Sequence, residues 1–186
     1  MEFVQPIRDK KQIEIMKRLL KASSMRDYVL FVLGINSGLR ISDLLRLKQT
    51  DVQTVKGTIK DRIELREKKT GKMKNFPISD TAAKALRDYL PGTPTAAPLF
   101  PSRKGSGPIT RQQAYRILNE ASQLAGIKDR IGTHTLRKTF GYQAYQAGYA
   151  VERLQHIFNH SSSRITLAYI GMTQDDTDEV YLNLNL

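Results

Sequence analysis

Residues 28–35 read Tyr-Val-Leu-Phe-Val-Leu-Gly-Ile, apolar round the whole circumference of a helix. A helix without a polar face belongs in an interior. The run is framed by helix signals. Ser24-x-x-Asp27 reads as a start, and Gly38 is placed to end the helix in the left-handed conformation. Such a central helix needs amphipathic neighbours. Asp9-x-x-Gln12 reads as a capping box, and Ile13, Met16, Leu19 and Leu20 then fall on one helical face. On the far side, Ile41, Leu44, Leu45 and Leu47 give a short amphipathic helix. Arg40 therefore sits at a helix junction, presented by a rigid core.

The rest of the chain continues in the same mode, with one exception. Residues 58–66 alternate through Ile59, Ile63 and Leu65, and Asn75-Phe-Pro-Ile follows a Lys-Thr-Gly-Lys turn. This predicts a β-hairpin with its tip at Thr70-Gly71. Pro77 suits an edge strand. Residues 51–55 are expected to add a third, short strand. Ser79 caps a helix to about Leu90. Residues 91–108 hold five Pro and three Gly and read as one long loop, anchored by Leu99 and Phe100. Helices follow from Thr110-x-x-Gln113 to about Ala125, from His134 to about Ala147, over 151–158 and over 162–170. A last one runs from Thr173-x-x-Asp176 to near Leu182. The expected fold is mainly α with a small antiparallel β-sheet (α+β), in a single domain.

Charge narrows the function. Of the 186 residues, 30 are Lys or Arg and 18 Asp or Glu, a net charge of +12 that favours a polyanionic partner, nucleic acid first. Residues 56–74 hold Lys56, Lys60, Arg62, Arg66, Lys68, Lys69, Lys72 and Lys74, whereas the tail holds Asp175, Asp176, Asp178 and Glu179. The chain has no Cys, which excludes disulfides and thiolate metal sites. No apolar run reaches the roughly 18 residues of a membrane span. No secretory signal opens the chain, so a cytoplasmic, nucleoid-associated protein is expected. His156 and His160 stand four apart, but Ile157 occupies the place of the Glu in a His-Glu-x-x-His metal motif.

A tyrosine hydroxyl can attack a phosphodiester and displace a sugar hydroxyl without ATP, because one ester bond replaces another. The site must stabilise charge on the non-bridging oxygens and move protons. Arginine forks suit the first task, and Lys or His the second. In chain order this sequence offers Gly38-Leu-Arg40-Ile-Ser-Asp43, Lys69 in its turn, His134-Thr-Leu-Arg137, His160, and Tyr169 nine residues after it.

That ordered set, over about residues 9–172, resembles the tyrosine recombinase (phage integrase) family. The resemblance implies that family's catalytic-domain fold and a DNA strand-cutting and rejoining enzyme, with no cofactor and no metal. Arg40 and Arg137 would clamp the scissile phosphate. Asp43 would orient the cluster. Lys69, favoured over Lys68 by the Lys-Thr-Gly pattern and the distance to Pro77, would protonate the leaving 5′-oxygen. His134 would exchange protons, and His160 would hydrogen-bond the phosphate. Tyr169 would be the nucleophile, with Tyr181 as its rival. Lys68, Lys72, Lys74 and Lys138 are expected to touch DNA.

There are departures. Phe158-Asn159 stands where the family commonly has Leu-Gly, and Lys138 where it often has His. The family's N-terminal DNA-gripping domain is expected to be absent, the chain being a minimal member or a fragment. Its partners would be duplex DNA and further copies in a synaptic tetramer. Residues 173–186, with Val180, Leu182, Leu184 and Leu186, would dock on a neighbour or on their own domain. Two other readings remain. One is a DNA-binding regulator that keeps the fold without recombining; the other is a type IB topoisomerase-like activity.

Overall fold

The computed structural model describes residues 4–90, 92–172, 178 and 182. α1 (Lys10–Ser23) is capped by Asp9, whose carboxylate accepts from the Lys11 amide. α2 (Met25–Ser37) starts at Ser24, whose hydroxyl accepts from the Asp27 amide, and stops at Gly38, with φ 61°. Val29, Leu30, Phe31 and Val32 are fully buried, so the apolar run is the central helix its sequence demanded. Burying each such side chain contributes roughly 1.5–3 kcal/mol. α1, α5 (Asp80–Tyr89) and α7 (Thr135–Gln146) pack around it. The approach of α7 is close, since a Cβ on Gly34 would stand 2.6 Å from the Leu136 side chain.

α3 (Ile41–Leu44) and α4 (Gln49–Val52) follow in quick succession. The strand expected over 51–55 is instead this second helical turn plus a single bridge between Gln53 and Ile59. Asp51 is the reason. Its carboxylate accepts from the Lys48 amide at 2.8 Å and closes a helical turn that buries Val52 completely. The hairpin is β1 (Arg62–Arg66) and β2 (Met73–Pro77), antiparallel, with Ile63 opposite Phe76 and Leu65 opposite Lys74. Gly71 takes φ 68° in the connecting turn. The 91–108 loop is pinned where expected: Leu99 and Phe100 are fully buried, and the Leu99 amide donates to the Leu47 carbonyl.

α6 (Arg111–Leu124) begins with a complete capping box of Thr110 and Gln113. α7, α8 (Val151–Phe158) and α9 (Ser163–Ile170) enclose a second, smaller core of Tyr142, Leu154, Phe158 and Ile170. Gly141 makes it possible, because a Cβ there would meet Ile170 at 2.6 Å and the Phe158 ring at 2.7 Å. The N-terminal segment is laced over this unit. The Ile7 amide donates to Thr139, and Arg8 donates to the Gly171 carbonyl. Apart from Asp178 and Leu182, the tail helix and Tyr181 lie outside the described residues.

Candidate active site

The site forms where the two cores meet the hairpin. Arg40 follows the left-handed Gly38 and the buried Leu39, and serves as N-cap of α3 with extended backbone. Asp43, one turn on, is buried and accepts from the Lys68 amide at 2.8 Å, which ties α3 to the hairpin turn. That placement is compatible with an orienting role.

Arg137 comes from the first turn of α7 and is 2 % exposed. Its guanidinium donates to the Gly38 carbonyl at 2.5 Å and to the Phe158 carbonyl at 2.9 Å. It also lies 4.5 Å from the centre of the Phe158 ring. One side chain thus joins the turn before Arg40 to the end of α8. Burial pulls its pKa below the ordinary value, yet an arginine so placed stays charged.

His160 follows Asn159, which has φ 54° and ψ 45°. Among non-glycine residues, Asn tolerates that left-handed region best. The departure from Leu-Gly therefore keeps the backbone conformation that a glycine would supply. The Asn159 side chain does more, donating to Glu67 at 3.4 Å and accepting from Lys72 at 3.3 Å. The Nδ1 of His160 pairs with the Thr166 hydroxyl at 3.1 Å, and the imidazole meets the Tyr169 ring edge-on at 5.0 Å. Tyr169 rides on α9 against Phe158, with the Lys138 ammonium 5.4 Å from its ring centre. Burial raises the phenol's pKa, while the charges of Arg137 and Arg40 and a hydrogen bond from Arg137 oppose the rise. His134, the N-cap of α7, remains open to solvent on one side. Partial burial and then Arg111, Lys138, Arg137 and Arg40 lower its pKa. Burial, Arg137 and Arg40 lower that of His160. Both imidazoles are therefore biased towards the neutral form.

The lysines divide. Lys68, Lys69 and Lys72 are exposed around the hairpin turn. Lys138 is 5 % exposed, and the Lys74 side chain 13 %, so both are set deeper than the lysines of the turn. Burial and then Arg137 push Lys74 down to about 8.

Sequence reasoning missed Glu67. Its side chain has no exposure; Oε1 stands 2.9 Å from Arg40 and 3.7 Å from Lys74, and Oε2 accepts from the Thr70 hydroxyl at 2.7 Å. Burial raises its pKa, but the Thr70 hydrogen bond with Arg40 and Lys74 outweighs this and leaves it below the ordinary value. A signal was available. The inward alternation Ile63, Leu65 reaches Glu67 at the next step, and pairing across the hairpin brings Lys74 opposite Leu65.

A phenol, two guanidiniums and two imidazoles thus converge from α3, α7, α9 and the segments that precede α7 and α9. Chemically, a phenol can serve as a nucleophile, and paired guanidiniums can hold an anion. The chain belongs to the phage integrase family, whose model matches residues 7–175. It is 44 % identical over 181 residues to "Probable integrase/recombinase YoeC" of Bacillus subtilis, covering 97 % of each chain. It is 31 % identical over 163 residues to tyrosine recombinase XerD of Corynebacterium glutamicum, covering 84 % of this chain and 52 % of that one. The fold is also that of the XerH site-specific recombinase, in a post-cleavage complex with its palindromic difH substrate. That match has TM-score 0.73 and 18 % identity, over 100 % of this chain and 55 % of the other.

Proposed function

We propose that the chain cuts and rejoins duplex DNA at a specific site through a 3′-phosphotyrosine intermediate. The observation that carries this reading is the Tyr169 phenol within hydrogen-bond reach of Arg137, with Arg40 close enough for its charge to act on the phenol. The phenolic oxygen attacks the scissile phosphorus. A P–O(Tyr169) bond forms as the bond to the 5′-oxygen breaks, so the ester energy is kept and no cofactor is needed. Arg40 and Arg137 bind the non-bridging oxygens, whose negative charge they offset as it redistributes. His160 hydrogen-bonds the phosphate. His134, biased towards the neutral form, accepts or returns a proton. Lys69 is assigned the proton delivered to the 5′-oxygen, on its place in the Lys-Thr-Gly turn, with Lys68 as its rival. Lys68 and Lys72 extend the positive surface towards neighbouring phosphates.

Rejoining to a new partner requires two duplexes held together, so the working unit is assigned as a tetramer of protomers on paired sites. A duplex nicked just beyond the cleavage point loses its 5′-end on cutting and traps the intermediate. Incubation with such duplexes, spanning candidate element and host junctions, should give a complex that survives detergent and high salt. Binding that salt abolishes, with no trapped product, would instead mark a regulator. Relaxation of plasmids regardless of sequence would mark a topoisomerase.

A further inference from the structure

We propose that Lys74 is a further catalytic residue, a third cation of the clamp that binds a non-bridging oxygen of the scissile phosphate. The inference rests on the reading of the site as one that cleaves phosphodiesters. Lys74 sits in β2 opposite Leu65, on the inner face of the hairpin. Its ammonium is shielded from solvent and has no hydrogen-bond partner among the described residues. The nearest opposite charge, Glu67 Oε1, stands 3.7 Å away and is already paired with Arg40 at 2.9 Å. An ammonium has three donors to satisfy. A buried one left without acceptors is costly unless something arrives to accept.

The charges say what should arrive. Arg40, Arg137 and Lys74 act on one another across the site, and the carboxylates of Glu67 and Asp43 act on Lys74 from the other side. Three cations against two carboxylates leave one positive charge, the complement of a single phosphodiester. Burial and the neighbouring guanidiniums destabilise the charged form of Lys74. A phosphate between these groups would stabilise it. Glu67 then has a task of its own as a positioning residue. It holds the Arg40 and Lys74 heads on one oxygen while its other oxygen is fixed by Thr70 and Asn159. Lys69 has a different place, on the exposed turn, and a different assignment, the leaving oxygen.

The two lysine roles separate by substrate chemistry. Lys74→Met keeps an unbranched stem that ends where the Lys74 ammonium begins, and removes the charge. On an ordinary nicked duplex it should slow covalent capture by about 10² or more, the size of effect that follows removal of a charge-stabilising donor. A methylphosphonate at the scissile position removes the negative charge that Lys74 would meet, and there the deficit against wild type should shrink to a few-fold. A bridging 5′-sulfur, which leaves without a proton, should not restore Lys74→Met. Rates near wild type on the ordinary duplex would overturn the proposal, and so would full rescue by the bridging sulfur. A deficit of the same size on the methylphosphonate would also overturn it. Should Lys74→Met fail to fold, Lys74→Gln, which keeps a polar head without the charge and leaves Glu67 on Arg40, carries the same test. Capture by the wild-type chain on the ordinary duplex tests the cleavage reading separately.

Discussion

At the scale of single residues, Arg137 has two duties that mutation can pull apart. Its guanidinium bonds the carbonyls of Gly38 and Phe158, so it braces the turn before Arg40 and the end of α8. Arg40 is anchored through Glu67, a carboxylate that keeps Lys74 as a second cation when Arg40 is removed. Arg40→Ala and Arg137→Ala should each slow cleavage by roughly 10²–10³. Only Arg137→Ala should also lower the melting temperature clearly, because it leaves two carbonyls without their donor. Equal melting temperatures, or a cleavage rate near wild type for either variant, would remove that residue from its assigned place. The histidines give a pH signature. Both have folded-state pKa values below the ordinary 6.5. Near that pH the unfolded chain binds more protons than the folded one. Their contribution to stability is therefore full above pH 6.5 and is lost as pH falls through the lower folded values. Thermal unfolding at pH 7.5 and 5.5 should show the loss, and His134→Gln with His160→Gln should reduce it. A loss untouched by the double substitution would place the titrating groups elsewhere. Glu67 does not confuse the window, since its pKa lies below 4.5.

At the scale of elements, α7, α8 and α9 form a unit that presents His160 and Tyr169 to the arginines. Its tightest point is Gly141, where any Cβ meets Phe158 and Ile170 within 2.7 Å. Gly141→Val should cost about 1–3 kcal/mol through overpacking and should displace α9. Covalent capture should fall much more than DNA binding does, measured side by side on the same duplex. Unchanged capture would mean that the packing of α9 does not set the position that the Tyr169 phenol needs. Elements also differ in how plainly the sequence announces them. α2 was legible because a segment apolar all round admits one location. The helices were legible because Ser24, Ser79 and Thr110 cap them as expected. Arg40, Arg137, His160 and Tyr169 were legible from ordered spacing. The segment 51–55 was not, because Asp51 bonds the Lys48 amide and closes its own turn, a local choice that periodicity does not register. Glu67 escaped for a different reason. Its meaning depends on which face of the hairpin turns inward, and on what α3 and α7 set against that face. A run of charges read only along the chain looks like a solvated ribbon.

At the scale of the whole molecule, the proposed function gives the +12 charge the attraction to DNA and the buried cluster the chemistry. These should separate experimentally. Lys68, Lys69 and Lys72 are exposed. Replacing all three with Ala should flatten the dependence of log affinity on log salt by up to about three units of slope, near 0.9 for each phosphate no longer neutralised. Lys74→Met, in the shielded site, should leave that slope nearly unchanged. A slope indifferent to the three surface lysines would move the DNA track to another face. None of the helices among the described residues is long and apolar enough to cross a membrane. The central claim is that this architecture exists to bring one phenol to one phosphorus. It is tested most directly by covalent capture on a nicked duplex with three proteins: the unaltered chain, Tyr169→Phe and Tyr181→Phe. The account predicts capture by the first and third and none by Tyr169→Phe, with DNA binding by Tyr169→Phe retained within a few-fold. Capture that survives in Tyr169→Phe, or vanishes in Tyr181→Phe alone, would contradict it.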